Sequence, residues 1–260
     1  MSTQSRTAPV GPTRRRSLVG AGVAPARLSD AELREAWRFR GRFVDLKPTV
    51  APEDDYQAFC ATVRRGATLW RQRDDAGELR AMIMAIQGPA VHEGRPYFHL
   101  EFEYAFFDPE YRRTFASRLA FFATIARAFV VAGARPIYLV ASTYPAGALS
   151  LDEYFPLWLP GADAGMSDWE RGLRAALGAA TKGYDPATGL VTMRTLPRER
   201  CRTPKRPRTR ATWEAYQRCC PQWTAGYTPL CLARVTLADA ARSVLGDVPA
   251  MLLRDAGLRR

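Results

Sequence analysis

The alternation of apolar and polar positions predicts a chain that mixes helices and strands. Apolar residues recur at helical spacing from Leu33 and again from Tyr56, which predicts two helices separated by a proline-containing break. Two strand-like runs, 67–73 and 79–87, flank an Asp-Asp-Ala-Gly turn. We expect them to form a hairpin whose second strand ends at the Gly88-Pro89 pair.

The clearest strand of the chain runs from Tyr97 to Phe107. Apolar and polar side chains alternate along it, which predicts one buried face and one polar face. The polar face carries His99, Glu101 and Glu103, about 7 Å apart from one to the next. The other face is expected to bury five large apolar residues: Phe98, Leu100, Phe102, Tyr104 and Phe106.

A helix and a second strand follow. The turn Asp108-Pro-Glu-Tyr-Arg-Arg113 leads into a helix that is predicted to reach about Val131, with Gly133 as its C-cap. Residues 136–142 are almost continuously apolar, which is typical of a strand covered on both faces. Strand, helix and strand in this order predict a right-handed βαβ unit.

The C-terminal third has a less regular pattern. It predicts short helices and strands and a basic, proline-containing loop at 194–212. The expected helices are 151–158, 168–181, 237–245 and 248–258, and the expected strands are 189–196 and 228–235.

The net charge of +12 is concentrated in two segments. Residues 1–27 contain five arginines and no acid, and with their Ser, Thr, Pro and Gly content they predict a disordered basic tail. Residues 194–218 contain nine basic and two acidic residues. Such segments are either solvated, mobile charge or attract phosphate groups and anionic lipid.

The cysteines and the apolar runs argue against several classes of protein. The five cysteines lack the paired spacing of zinc ligands, so we expect no metal, and an odd number of cysteines in a long chain argues against a disulfide framework. No apolar run reaches the roughly 20 residues that span a bilayer. Residues 13–19 are somewhat similar to a twin-arginine signal, but the apolar stretch that follows is short, and the expected location is cytoplasmic.

The order of these elements, with the D-P-E-Y-R-R turn, resembles that of the GNAT superfamily of N-acyltransferases. The resemblance implies an α/β (α+β) fold with a GNAT-like mixed central sheet flanked by helices. Residues 28–160 would form the core. Residues 161–260 would supply the C-terminal part of the sheet and a helical extension.

The resemblance also implies a thioester donor, either acyl-CoA or an acyl carrier protein. In the family, backbone amides at the start of the helix hold the pyrophosphate of coenzyme A, and a helix N-terminus suits phosphate on physical grounds. The matching residues are Arg112, Arg113, Thr114, Phe115 and Ala116. The family's loop has glycine where this chain has Ala116, and a small residue where it has Arg118.

The catalytic residues implied by the resemblance lie on the long strand and after the apolar strand. Glu103 or Glu101, beside His99, would act as the base, because neighbouring acids raise each other's pKa. Tyr154 would protonate the leaving thiolate, with Tyr144 as second choice. Two alternatives stay open: the polar face of the strand simply meets solvent or basic side chains, and Tyr154 belongs to a buried aromatic cluster.

Three functions remain in competition. The first is an acyltransferase that acts on a small-molecule amine, and residues 33–44 are distantly similar to N-acyl amino acid and acyl-homoserine lactone synthases. The second is a catalytically inactive GNAT-fold binding protein. The third is a nucleic-acid or anionic-membrane binder that uses the basic segments.

Overall fold

The computed structural model describes residues 19–66, 68–111, 115–198, 201, 203–242 and 245, with the backbone alone at 19–22, 115–117 and 208. The helices are α1 Asp30–Arg40, α2 Pro52–Arg65, α3 Phe115–Ala132, α4 Pro145–Asp152, α5 Asp168–Ala180 and α6 Pro207–Cys219. The strands are β1 Val19–Val23, β2 Val44–Leu46, β3 Thr68–Arg73, β4 Leu79–His92, β5 Arg95–Phe107, β6 Ile137–Ser142, β7 Tyr184–Asp185, β8 Leu190–Thr192, β9 Thr195–Pro197 and β10 Tyr227–Val235.

Eight of these strands form one sheet in the order β1-β3-β4-β5-β6-β10-β8-β7. The β5–β6 pair is parallel and the other pairs are antiparallel, while β2 and β9 form a separate two-stranded ribbon. The mixed α/β sheet flanked by helices is therefore confirmed. The sheet extends beyond the expected core of residues 28–160, because β10, which lies in the C-terminal third of the chain, pairs with β6.

Local sequence signals explain where several helices begin. Ser29 and Glu32 form a capping box at the start of α1, and Ser167 forms the same motif with Glu170 in α5. Pro52 occupies the first turn of α2, where its missing N–H costs nothing. At the start of α1, α2 and α5, the first-turn amides are therefore either hydrogen-bonded by a side chain or absent because the residue is proline.

The expectation of a disordered tail through residue 27 is wrong for its last part. Val19–Val23 pairs antiparallel with β3, and Pro25–Arg27 forms a turn of 3-10 helix. A strand edge needs only backbone partners, so a small-residue segment without an apolar pattern is able to fill it. Residues 1–18 of the expected tail lie outside the described part of the chain.

Two further boundaries differ from expectation. β4 does not end at Gly88-Pro89 but continues to His92. Its pairing with β3 stops at Ala85, so Pro89 lies on an open edge of the strand, where a missing N–H costs no hydrogen bond. The basic segment 194–212 is not one loop. It contains β9 and the first turns of α6, and Pro207 starts that helix.

The two faces of the sheet have separate cores. On one face α3 covers a cluster that includes Phe98, Leu100 and Leu139, and we call this the α3 face. On the other face α1 and α2 cover β3, β4 and the end of β5, and α5 covers β6 and β10. We call it the α1/α2 face. Among the described helices, none combines the length and apolar character required to cross a membrane.

Candidate active site

A β-bulge interrupts β5 at Glu103. β4 pairs Ala85 with Phe102 and Met84 with Tyr104, so Glu103 is an extra residue with no opposite number on β4. The extra residue reverses the alternation: Phe102 packs on the α3 face, whereas Tyr104 packs on the α1/α2 face. The expectation that all five apolar side chains share one face is therefore wrong beyond Phe102.

β5 and β6 separate at the same point. Their parallel pairing ends with Glu101 opposite Val140. β6 continues to Ser142 beside β10, while β5 continues to Phe107 beside β4. Two parallel strands that diverge toward their carboxyl ends leave a crevice between them, and open α/β sheets bind ligands at such places.

The predicted polar face of β5 lies between two groups of helices. Tyr97, at one end, packs against Trp169 of α5 with 6.2 Å between ring centroids. Tyr104, at the other end, packs under α2. Between them His99, Glu101 and Glu103, which we call the polar row, have side chains only 19%, 24% and 26% exposed. The row therefore lies in a furrow and is shielded from bulk solvent.

The charges of the polar row are coupled. His99 Nε2 lies 3.3 Å from a carboxylate oxygen of Glu101, and the guanidinium of Arg65 lies 3.8 Å from Glu103. Burial, helped by the negative charge of Glu101, raises the pKa of Glu103 to about 7, although Arg65 opposes the shift. A carboxyl group with this pKa is able to accept a proton at neutral pH and to release it again.

The residues that were predicted to hold pyrophosphate are described only in part. Residues 112–114 lie outside the described part of the chain. Phe115 and Ala116 form the first turn of α3, so their backbone amides belong to a helix N-terminus, which suits an anion.

The turn that leads to α3 is anchored by ion pairs. The carboxylate of Asp108 accepts hydrogen bonds from Arg42 and Arg80, at 3.1 Å in each case. The backbone N–H of Tyr111 donates to the carbonyl of Asp108 at 2.8 Å. These contacts hold the path from the end of β5 toward the start of α3.

Tyr154, the predicted acid, lies two residues beyond the end of α4 and on the α3 face. It is 7% exposed and packs against Phe121 and Phe122, with centroids 5.1 and 5.8 Å away. The guanidinium of Arg118 lies 4.9 Å from the centre of its ring. Tyr154 and the polar row are thus on opposite faces, and a ligand that touches both would occupy the crevice between β5 and β6.

Tyr144, the second choice, is already engaged. It precedes α4, and its hydroxyl donates a hydrogen bond to the carbonyl of Thr195 at 2.5 Å. Burial raises its pKa. The bond links the segment after β6 to β9, so the hydroxyl of Tyr144 has a structural role.

The sequence analysis missed a buried charged cluster beside the polar row. Asp55 is 1% exposed and Arg40 is 7% exposed. Arg40 pairs with Asp55 Oδ2, and the indole N–H of Trp37 donates to the same oxygen at 2.7 Å. Arg194 Nε lies 3.7 Å from Asp55 Oδ1. We call Arg40, Asp55 and Arg194 the arginine cluster.

Helical spacing contained the signal for this cluster. Leu33, Ala36 and Arg40 fall on one stripe of α1, and Asp55, like Phe59, falls on the buried stripe of α2. Acidic residues in the first turn of a helix interact favourably with its dipole, and this effect alone would account for Asp55 in the sequence. A charged residue in phase with core residues is a better indication of a buried partner.

Tyr104 connects the arginine cluster to the polar row. Burial raises the pKa of Tyr104 to about 12; the charge of Arg40 lowers it and that of Glu103 raises it. The ring of Phe59 lies between Arg40 and Tyr104, 5.6 Å from the guanidinium and 5.1 Å from the ring of Tyr104. Two shallow depressions, of about 230 and 430 Å³, lie outside the furrow, beside Cys60 and Trp70. In the described part of the chain, no group of three or more His, Cys, Asp or Glu residues is placed to hold a metal ion.

Two helices, a hairpin, a long bulged strand, a helix and a parallel strand therefore follow one another around a crevice. The fold is GNAT-like. No protein-family model and no curated protein matches the sequence.

Several solved structures to which this chain is similar are N-acyltransferases by name. An acyl-CoA N-acyltransferase from Pseudomonas aeruginosa is 18% identical with a TM-score of 0.37, over 55% of this chain and 89% of that one. The aminoglycoside 6'-N-acetyltransferase of Acinetobacter baumannii is 17% identical with a TM-score of 0.35, over 60% and 94%. An aminoglycoside N-acetyltransferase in complex with CoA is 15% identical with a TM-score of 0.36, over 57% and 88%. At such values the likeness carries no weight for function, which has to be inferred from the site of this GNAT-like chain itself.

Proposed function

We propose that this protein is an acyltransferase that moves an acyl group from a thioester donor to an amine. The main support is Glu103, a carboxyl group with a pKa of about 7 on a β-bulge, where β5 leaves β6. A base of this pKa beside a crevice suits the removal of a proton from an attacking amine.

The proposed donor is acyl-CoA, which supplies the activated thioester; an acyl carrier protein would supply the same group. The pyrophosphate of acyl-CoA is assigned to the start of α3, to Arg112, Arg113, Thr114, Phe115 and Ala116. Free backbone amides and the helix dipole favour a phosphate there, and two arginines add charge. The acyl end would then extend into the crevice between β5 and β6.

The proposed reaction forms a C–N bond and breaks the C–S bond. Glu103 takes the proton that the amine loses, and Tyr154 gives a proton to the departing thiolate, so that an amide and a free thiol result. Backbone N–H groups of β5 beyond Glu101 have no partner on β6 and are available to polarise the thioester carbonyl. Glu101 and His99 act by setting the charge around Glu103.

The proposed acceptor is a small-molecule amine that enters the furrow between α1/α2 and α5. The polar row forms its floor, and the bulge brings Glu103 to the crevice where the thioester would lie. Binding both substrates side by side converts the encounter of amine and thioester into a reaction within one complex.

The test measures thiol release from acyl-CoAs of increasing chain length in the presence of an amine panel. Release is expected with at least one pair, and Glu103→Gln should reduce it by about a hundredfold or more. Glu53→Gln, which changes an exposed acid on α2, is the matched control and should leave the rate unchanged. Equal rates in both variants would remove Glu103 from the mechanism.

The alternative functions give different results in related assays. Thermal stabilisation by acyl-CoA, without thiol release for any amine, would indicate a binding protein without chemistry. Binding of DNA, RNA or anionic vesicles that weakens steeply with salt would indicate the electrostatic function. Within the basic segment, Arg198 pairs with Asp45 and Arg210 pairs with Glu214, so part of its charge is already neutralised.

A further inference from the structure

The arginine cluster has more positive than negative charge. Two guanidinium groups, Arg40 and Arg194, face the single carboxylate of Asp55, and no further acid pairs with these three residues in the described part of the chain. Asp55 and Arg40 are more than nine-tenths buried. Arg40 and Asp55 neutralise each other as the buried pair, and Arg194, whose side chain is 39% exposed, adds one positive charge beside them.

The hydrogen bonds of the cluster are also incomplete. The Nε–H groups of Arg40 and of Arg194 are buried and lack a hydrogen-bond partner. A buried donor without an acceptor costs free energy, and such groups in a folded protein call for an explanation. An anion that accepts from both arginines would satisfy the donors and balance the charge together.

The position of the cluster connects it to the chemistry. Arg40 comes from α1, Asp55 from α2 and Arg194 from the segment between β8 and β9, so three separate parts of the chain converge on the α1/α2 face. The ring of Phe59 lies between the cluster and the polar row: its centroid is 5.6 Å from the guanidinium of Arg40 and 5.1 Å from the ring centroid of Tyr104, the residue after Glu103. A small molecule in the furrow would be able to reach the proposed base with one end and the cluster with the other.

We propose that Arg40 and Arg194 bind a carboxylate of the acceptor, so that the acceptor is an amine that carries a carboxylate, as amino acids do. This inference rests on the proposed acyltransferase function and specifies its acceptor. Arg40 supplies the buried charge, held in place by Asp55. Arg194, whose side chain is 39% exposed, lies at the entrance and makes the second contact.

The first experiment compares matched acceptors in the thiol-release assay. Leucine and isopentylamine, or phenylalanine and phenethylamine, differ only by the carboxylate. The amino acid is expected to have a kcat/KM about ten- to a hundredfold higher, which is the range for a hydrogen bond to a charged group. A peptide whose carboxylate is farther from its amine shows whether the site selects free amino acids or chain ends.

Arg194→Met tests the site without removing the buried pair. The KM for leucine is expected to rise about tenfold or more, and the preference over isopentylamine to fall by the same factor. Arg198→Met is the matched control, since Arg198 is a nearby arginine that pairs with Asp45 and not with Asp55. An unchanged preference in Arg194→Met would overturn the inference.

A binding measurement separates this inference from the proposed reaction. Calorimetry with leucine and isopentylamine requires no turnover. Leucine binding that is lost in Arg194→Met supports the carboxylate site. If no thiol is released in the same protein, the acyltransferase is rejected and the carboxylate site is kept. Transfer to isopentylamine as efficient as to leucine would reject the carboxylate site and keep the acyltransferase.

Discussion

Glu101 and Glu103 act on each other across the β-bulge of β5. Glu101 is the last residue of β5 that pairs with β6, and Glu103 is the bulged residue. The negative charge of Glu101 adds to burial in raising the pKa of Glu103, while Arg65 works in the opposite direction. β5 thus places the charge of Glu101 two residues from Glu103, where it raises the pKa of the proposed base.

The first prediction concerns that tuning. Glu101→Gln removes a negative neighbour and is expected to move the titration of Glu103 to lower pH, whereas Arg65→Met removes a positive one and should move it to higher pH. Carbon-13 NMR of the glutamate carboxyls during a pH titration measures both shifts. Glu53→Gln should change neither, and a shift of the same sign in the two variants would contradict the arrangement.

The second prediction concerns stability. The folded-state pKa of Glu103 is about 7, above its ordinary value of 4.5, so its contribution to stability is complete below pH 4.5 and is lost as the pH rises through 7. Glu103→Gln is expected to be more stable than the parent by about 1–3 kcal/mol at pH 8. The difference should vanish at pH 4. Urea unfolding at the two pH values measures it, and a gain of equal size at both would point to another cause.

The third prediction concerns the buried ion pair. Asp55→Ala leaves Arg40 charged and buried without its carboxylate, which is expected to lower the free energy of unfolding by about 3–5 kcal/mol. The adjacent Asp54 is exposed, and Asp54→Ala should change stability by less than about 0.5 kcal/mol. Denaturant unfolding compares the two. A mild effect at Asp55 would show that Arg40 finds another acceptor.

The fourth prediction separates the two tyrosines. Tyr154→Phe retains the ring that packs on Phe121 and is expected to lower kcat by about a hundredfold. Tyr144→Phe loses the bond to the carbonyl of Thr195 and should cost about 1 kcal/mol of stability. Steady-state kinetics and unfolding of both variants decide the matter. The reverse result, full activity in Tyr154→Phe and a large loss in Tyr144→Phe, would transfer the role of the acid to Tyr144.

The sequence was sufficient to predict the main elements from α1 to β6. Period-two and helical patterns are local properties, and they placed α1, α2, β5, α3 and β6 close to their observed bounds. The sequence also indicated Glu101 and Glu103 as candidate site residues, because they lie on the polar side of a long alternating strand. Their roles stay predictions until activity is measured.

The bulge and the arginine cluster could not be predicted in this way. Apolar and polar residue types alternate along β5 without interruption. The bulge is visible only in the pairing with β4, where Ala85 pairs with Phe102 and Met84 pairs with Tyr104. Arg194 lies 3.7 Å from Asp55 although many residues separate them in sequence. The register of paired strands and the ion pairs between distant residues depend on how the elements pack together, and local sequence patterns do not specify this packing.

The pairing of β1 with β3 has a consequence for anyone who shortens this protein. A chain that starts at Leu28, where the sequence pattern suggests that order begins, would lack Val19–Val23. The outer edge of β3, from Leu69 to Arg73, would then present its N–H and C=O groups to solvent. Such an edge is a template for another strand, so the truncated protein is expected to self-associate through it.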